Sequence, residues 1–311
     1  MLPAYKLSSA QVRTLITVLA VSTLALCVNH AIANETSTQV DAYAYRTPGS
    51  SADHRLSYEV ELLRLALDKT VATFGPYTLQ PAKAMNLPRT MVTARSSKEA
   101  LIFKTSYSQT LTQEFRYPTY PIDRGIFSYR ICFVNNQIKD KVSQVDNLDD
   151  LRRFIIGQGV GWLDVDILEH NGFSVRESSG YEQLFPMLAA GRLDLVCRAQ
   201  NEVPAEWEIF SHLGGFSIDQ SFALFYPLPR FFWVHKSQPR AFERLNLGLK
   251  ISYQDGSALN LWKQHYQANL RKASLKNRRL YILRNPYLDG ISPEYKQYFL
   301  DQRTKMCESN C

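Results

Sequence analysis

The chain has 311 residues, 45% of them hydrophobic and 21% charged, and a formal net charge of +7. That length allows one large domain or two small ones around a sizeable core. The positive excess is spread thinly, with no basic run interleaved with aromatics, which argues against a nucleic-acid partner.

Lys6 and Arg13 are the only charges before Asn34. The apolar run Leu15–Val28, "LITVLAVSTLALCV", is too short for a comfortable membrane span and leads into Ala31-Ile32-Ala33. This predicts a secretory signal over residues 1–33, cut after Ala33, with an uncleaved anchor as the alternative. Cys27 follows Leu-Ala-Leu rather than a small residue, which argues against a lipoprotein. No later segment is long and apolar enough to span a membrane, so a soluble periplasmic protein is expected.

Ala42–Tyr45 alternates like a strand, and Arg46-Thr47-Pro48-Gly49 ends it. Val60, Leu63, Leu67 and Val71 recur at helical spacing and predict a helix over Ser57–Thr73, stopped by Gly75-Pro76. "YTLQP" reads as a second strand, so the chain opens β-α-β. A further helix is expected within Met85–Thr105, then a strand over Tyr129–Val134.

From Val145 to Arg198 the pattern is sharper. "VDNLDDLRR" reads as a short helix, its N-terminus carrying Asp146 and Asn147. "FIIG" reads as a buried strand, Leu163–His170 as a helix closed by Asn171-Gly172, and "FSVRES" as a strand. Tyr181–Ala190 reads as a helix ended by Gly191, and "LDLVCR" as a strand. Strands and helices alternating at this spacing predict a parallel α/β sheet. Strands "SFALFYP" and "RFFWVHK" follow, then helices over Ala241–Tyr253 and Ala258–Ala268 and a Pro/Gly-punctuated tail. The aromatic run in those two strands reads as buried core, with Tyr226 near its turn as the member to watch.

Beyond the predicted signal stand Cys132, Cys197, Cys307 and Cys311. Cys307 and Cys311 close a short loop and form the favoured pair. Cys132 and Cys197 lie in apolar strand-like runs and either pair across a sheet or stay as buried thiols. His54, His170, His212, His235 and His265 show neither H-x-x-x-H nor H-E-x-x-H spacing, so neither metal nor cofactor is expected. G-x-S-x-G is absent and no local pattern marks a triad, so no enzyme is expected.

Gly157-x-Gly159-x-Gly161 follows a strand and precedes a helix, but it lacks the G-x-G-x-x-G order and has no Lys-Ser/Thr after it. That excludes a nucleotide loop as the reading of choice. The physics of the turn remains: backbone N–H groups and a helix dipole face the space beyond the strand end, where ligands of open α/β sheets sit. The candidates there are Gln158, Trp162 and Asp164 beside the glycines, Arg198 ending "LDLVCR", and Tyr45 and Arg46 ending the first strand. Each has a plainer role. Arg198 suits a carboxylate clamp or an ion pair with Glu202 or Glu206. Trp162 suits ligand stacking or a core cap, and Asp164 a ligand donor or the helix dipole.

The order of these parts resembles the type II periplasmic solute-binding proteins, family 3, the amino-acid-binding type. The resemblance rests on the opening β-α-β, "YRICFV", "LDDLRRFIIGQGVGW", "EQLFPMLAAGRLDLVCR" and "LNLGLKISYQDGSALNLWKQHY". It implies a periplasmic-binding-protein-like II fold: two α/β lobes joined by crossing strands, with a ligand cleft between. Lobe I would take residues 34–129 and 221–311, and lobe II 130–220. The implied function is capture of a small polar solute, amino-acid-like or anionic, by a monomer that delivers it to an inner-membrane ABC permease. A sensing module of the same fold, and then a dehydratase-like enzyme, are the alternatives. Two departures touch specificity. The family's Arg in a T-x-x-R-like turn has no evident counterpart, and Arg198 stands nearest to where an Asp often meets the ligand's amino group.

Overall fold

The computed structural model describes residues 40–47 and 57–300. The predicted signal, Cys27, Pro48-Gly49, His54 and the Cys307–Cys311 pair lie outside the described residues.

The first stretch comprises β1 (Asp41–Tyr45), α1 (Ser57–Asp68), α2 (Val71–Phe74) and β2 (Tyr77–Pro81). β1 and β2 pair in parallel from Asp41 opposite Tyr77 to Tyr45 opposite Pro81, the β-α-β start expected. The single helix expected over Ser57–Thr73 is broken at Thr70. Its hydroxyl donates to Leu67 O at 2.7 Å and accepts from Arg244 Nε at 3.1 Å. A threonine hydroxyl bonded back to the preceding turn competes with the helical ladder. Arg244, wholly buried, also donates to Asp41 Oδ2 at 2.9 Å and Gly75 O at 2.7 Å. Burial alone would raise the Asp41 pKa, but hydrogen bonds from Arg240, Tyr43 and Arg244 outweigh it and hold the carboxyl below its usual range.

Then come α3 (Leu87–Ser96), β3 (Ala100–Ser106) and β4 (Phe115–Arg116). The helix expected within Met85–Thr105 is confined to α3, where the Asn86 side chain accepts from Arg89 N at 3.1 Å as N-cap. The rest is β3, a strand absent from the sequence expectation. Its run Ala100–Phe103 is buried throughout: Ala100 and Ile102 face one core, Leu101 and Phe103 the other. A strand covered on both faces shows no alternation to read.

The remaining elements contain the expected ones in their expected order, with two helices and two strands besides. They are β5 (Tyr129–Asn135), α4 (Lys139–Ser143), α5 (Leu148–Leu151), β6 (Ile155–Gly159), α6 (Leu163–His170), β7 (Ser174–Ser178), α7 (Leu184–Ala189), β8 (Leu195–Ala199), α8 (Val203–Phe210), β9 (Phe216–Ile218) and β10 (Phe222–Phe225). The chain closes with β11 (Arg230–His235), α9 (Pro239–Gln254), α10 (Ser257–Lys272) and β12 (Arg279–Ile282).

Two sheets result. The first runs β2-β1-β3-β11-β4, and the second β12-β10-β5-β8-β6-β7 with β9 beside β5. β6 pairs in parallel with β7 and β8, as the alternating pattern predicts, while β5 runs antiparallel to both β8 and β10. A first lobe taking all of 221–311 does not follow the sheet pairing. β10 and β12, inside that range, hydrogen-bond into the second sheet, with Leu224 opposite Arg130 and Phe222 opposite Arg279.

Each sheet is packed on both faces. On β5, Ile131 and Phe133 enter the core with Leu184, Phe185 and Leu188, while Cys132 and Val134 enter the core with Ile156, Ile167 and Leu168. Fully burying one such side chain stabilises by about 1.5–3 kcal/mol. On the first sheet α1, α9 and α10 cover one face. The α1–α9 contact is close enough that a Cβ on Gly248 would stand 1.9 Å from Ala66 O and 2.6 Å from Ala66 C. Gly248→Ala should therefore destabilise by about 1–3 kcal/mol through overpacking, although alanine gains about 1 kcal/mol of helix propensity. Urea unfolding measures the difference, and a stabilised variant would show that the helices cross further apart.

Candidate functional site

A cleft of about 380 Å³ opens at the strand ends of both sheets. That volume is in the range of small-molecule sites. Its walls bring together residues distant in sequence. Arg46 follows β1, Lys104 to Ser106 end β3, and Arg230 begins β11. From the second sheet's side come Arg130 at the start of β5, Gly159 to Asp164 around the start of α6, and Arg198 near the end of β8.

The glycine turn serves packing. A Cβ on Gly159 would stand 2.5 Å from the Trp162 ring, so the indole folds flat against that backbone. Gly161 holds φ +76°, left-handed backbone that glycine adopts without cost, and so turns the chain into α6. Trp162 then presents its ring to Arg198, whose guanidinium carbon lies 4.7 Å from the ring centroid and 5.3 Å from that of Tyr181.

Arg198 is 3% exposed. Its Nε meets both oxygens of Glu206 at 2.9 and 3.1 Å, and its Nη2 stands 2.8 Å from Glu202 Oε2. Of the two roles open in the sequence, the ion pair is the one formed, and with both glutamates. Burial alone would lower the Arg198 pKa, but Glu202 and Glu206 outweigh it and keep the group charged. Nη2 faces Glu202 out of line, and its N–H makes no hydrogen bond.

Asp164 lies in the first turn of α6, but its carboxylate is taken by neighbours. Oδ1 accepts from the Tyr226 hydroxyl at 2.6 Å and lies 2.6 Å from Arg130 Nη2. Arg130 Nε in turn donates to the Tyr226 oxygen at 3.0 Å. Burial drives the Tyr226 pKa well above its ordinary value, which keeps the phenol a donor. On the opposite wall Arg230 Nε donates to Asp123 Oδ2 at 2.5 Å, and its guanidinium lies over the Phe127 ring. Lys104 pairs with Glu59 beside it.

Of the six sequence candidates, Arg46, Trp162, Asp164 and Arg198 line the cleft. Tyr45 does not: it packs on the first core and borders a separate small cavity of about 20 Å³. Gln158 does not either: it is 1% exposed, and its Nε2 reaches Cys197 O at 3.4 Å. Tyr45, the last residue of β1, turns to the first core, while Arg46, just beyond the strand, borders the cleft. Lys104, Arg130 and Arg230 went unnoticed in the sequence. Arg130 and Arg230 had a signal, a lone arginine near the start of an apolar strand-like run. Among the described residues no group of three or more His, Cys, Asp or Glu is placed to hold a metal ion.

No family model and no curated protein matches the chain. Solved structures do. An ancestral arginine-binding protein bound to arginine has TM-score 0.54 and 16% identity, over 74% of this chain and 99% of that one. An amino acid ABC transporter substrate-binding protein from Streptococcus pneumoniae, bound to L-arginine, has TM-score 0.53 and 11% identity, over 74% and 95%. A histidine kinase sensor domain with similarity to periplasmic binding proteins has TM-score 0.53 and 15% identity, over 73% and 96%. The chain therefore has the type II periplasmic-binding-protein fold of these neighbours.

Proposed function

We propose that the protein is an extracytoplasmic solute-binding protein, which traps a small polar solute, amino-acid-like or anionic, and delivers it to an ABC-type permease. The observation that carries this reading is the cleft at the ends of both sheets, lined by three buried arginines, Arg130, Arg198 and Arg230, and by Trp162. Its volume suits a solute of amino-acid size rather than a polymer. The Cys132–Cys197 disulfide supports an oxidising compartment. No enzymatic step is proposed.

Binding to the native state alone stabilises it by about 2.7 kcal/mol at a hundredfold excess over Kd. A thermal-shift panel of amino acids, dicarboxylates, sugars and polyamines should therefore give at least one clear rise in melting temperature. No shift from any class would sink the reading. A second reading, a sensory module that passes its state to a receptor, draws support from the kinase sensor domain among the structural neighbours. A permease or a kinase encoded beside the gene separates the two.

A further inference from the structure

Residues 117–128 carry the chain from β4 in the first sheet to β5 in the second, and residues 226–229 carry it from β10 back to β11. The chain then crosses twice more. α10 packs on the first sheet's core, β12 joins the second sheet, and residues 283–300 return to the first.

That last return is abrupt. On the second sheet's side Leu283 N donates to Phe225 O at 2.7 Å. Arg284 N donates to Asn171 Oδ1 at 3.0 Å, and Asn171 Nδ2 donates to Arg284 O at 2.7 Å. Tyr287 packs on the core that holds Ile167 and Leu168. The very next residue, Leu288, packs on the first sheet's core with Phe103 and Trp233, and Ile291, Tyr295 and Phe299 follow it there. The Tyr107 hydroxyl donates to Asp289 O at 2.9 Å. One peptide link thus joins side chains seated on different sheets.

The same segment grips both earlier crossings. Asn285, 8% exposed, donates from Nδ2 to Pro227 O at 2.8 Å. Leu300 N donates to Arg124 O at 2.9 Å. Phe299 covers Gly125 so closely that a Cβ there would stand 2.6 Å from its ring. Among the described residues Arg124 alone, glycines apart, has left-handed backbone, with φ +54°. Such backbone persists where its surroundings over-determine it. The preceding residue, Asp123, accepts from Arg230 Nε in the cleft at 2.5 Å. The grip on this turn therefore lies one residue from the cleft wall.

We propose that residues 283–300 are a strap that ties the two sheets together and limits how far the cleft between them opens. Hinge motion needs a few residues free to change φ and ψ. Both crossings that would supply them are held by the strap, and the strap has no spare residue between Tyr287 and Leu288. The proposal concerns opening alone and holds whatever solute the cleft takes.

The test is to insert Gly-Ser-Gly-Ser between Tyr287 and Leu288 in the full chain, which slackens the strap and deletes none of its packing side chains. Small-angle X-ray scattering should give a larger radius of gyration than for the unaltered protein. Amide exchange over residues 117–128 and 226–229 should quicken at least tenfold, with β6 and β8 unchanged. Phe299→Ala, which frees the strap's far end, should give the same pattern, and it decides the matter if the insertion prevents folding. An unchanged radius with unchanged exchange would overturn the proposal. So would exchange that quickens equally throughout both sheets, because that marks lost stability rather than a freed hinge.

Discussion

Replacing Cys132 and Cys197 together by alanine should lower stability by about 4 kcal/mol, read as a fall in urea midpoint and melting temperature. The bond joins residues 65 apart in sequence. Cross-linking a loop of that size removes roughly 4 kcal/mol of chain entropy from the unfolded ensemble. Both sulfurs are buried, at 0% and 1% exposure, so a reductant should reach them only after opening of the fold. The pairing has a local consequence too. Cys132 stands opposite Cys197 in the β5–β8 ladder, and the next register pair is Ile131 opposite Arg198. The disulfide thus pins the register of the two strands that carry Arg130 and Arg198 into the cleft. A one-residue slip of either strand would turn its arginine to the other face. The double variant should therefore also bind solute more weakly. Unchanged unfolding midpoints for the variant and the oxidised protein would show that the bond does not form in solution.

The second sheet was largely legible because its boundaries are written locally. Asn147 caps α5, its side chain accepting from Asp150 N at 2.8 Å, and Gly172 ends α6 with φ +83°. Those are short-range signals with a physical cause, and the elements between them came out in the right order. β3 was lost because its apolar run has no period and follows a helix across only a few polar residues. The antiparallel placing of β5 between β8 and β10 depends on pairings dozens of residues apart, which no local pattern encodes. The cleft divides in the same way. Arg46, Trp162, Asp164 and Arg198 were found from position at strand ends. Arg230 was not, because β11 joins β3 in space only after the whole second sheet has been built. The choice between Tyr45 and Arg46 needed the direction of the last strand residue, which register fixes and composition does not.

Arg198→Met should cost about 3–5 kcal/mol, even though methionine fills much of the same volume. The arginine is the counter-charge for two glutamates that are themselves buried, Glu202 at 8% and Glu206 at 3% exposure. Removing one partner of a buried ion pair leaves an uncompensated charge, and that penalty exceeds the net worth of the pair. Part of the loss is dispersion, since the guanidinium also lies between the rings of Trp162 and Tyr181. The two contributions separate in a mutant cycle. Adding Glu202→Gln and Glu206→Gln to Arg198→Met removes the stranded charges, so most of the stability should return while solute binding stays lost. That split matters for function, because it distinguishes an arginine that holds the wall together from one that also receives the solute. A cost below about 1 kcal/mol for Arg198→Met would mean that the glutamates are solvated in solution and that this wall is more open than the structure shows.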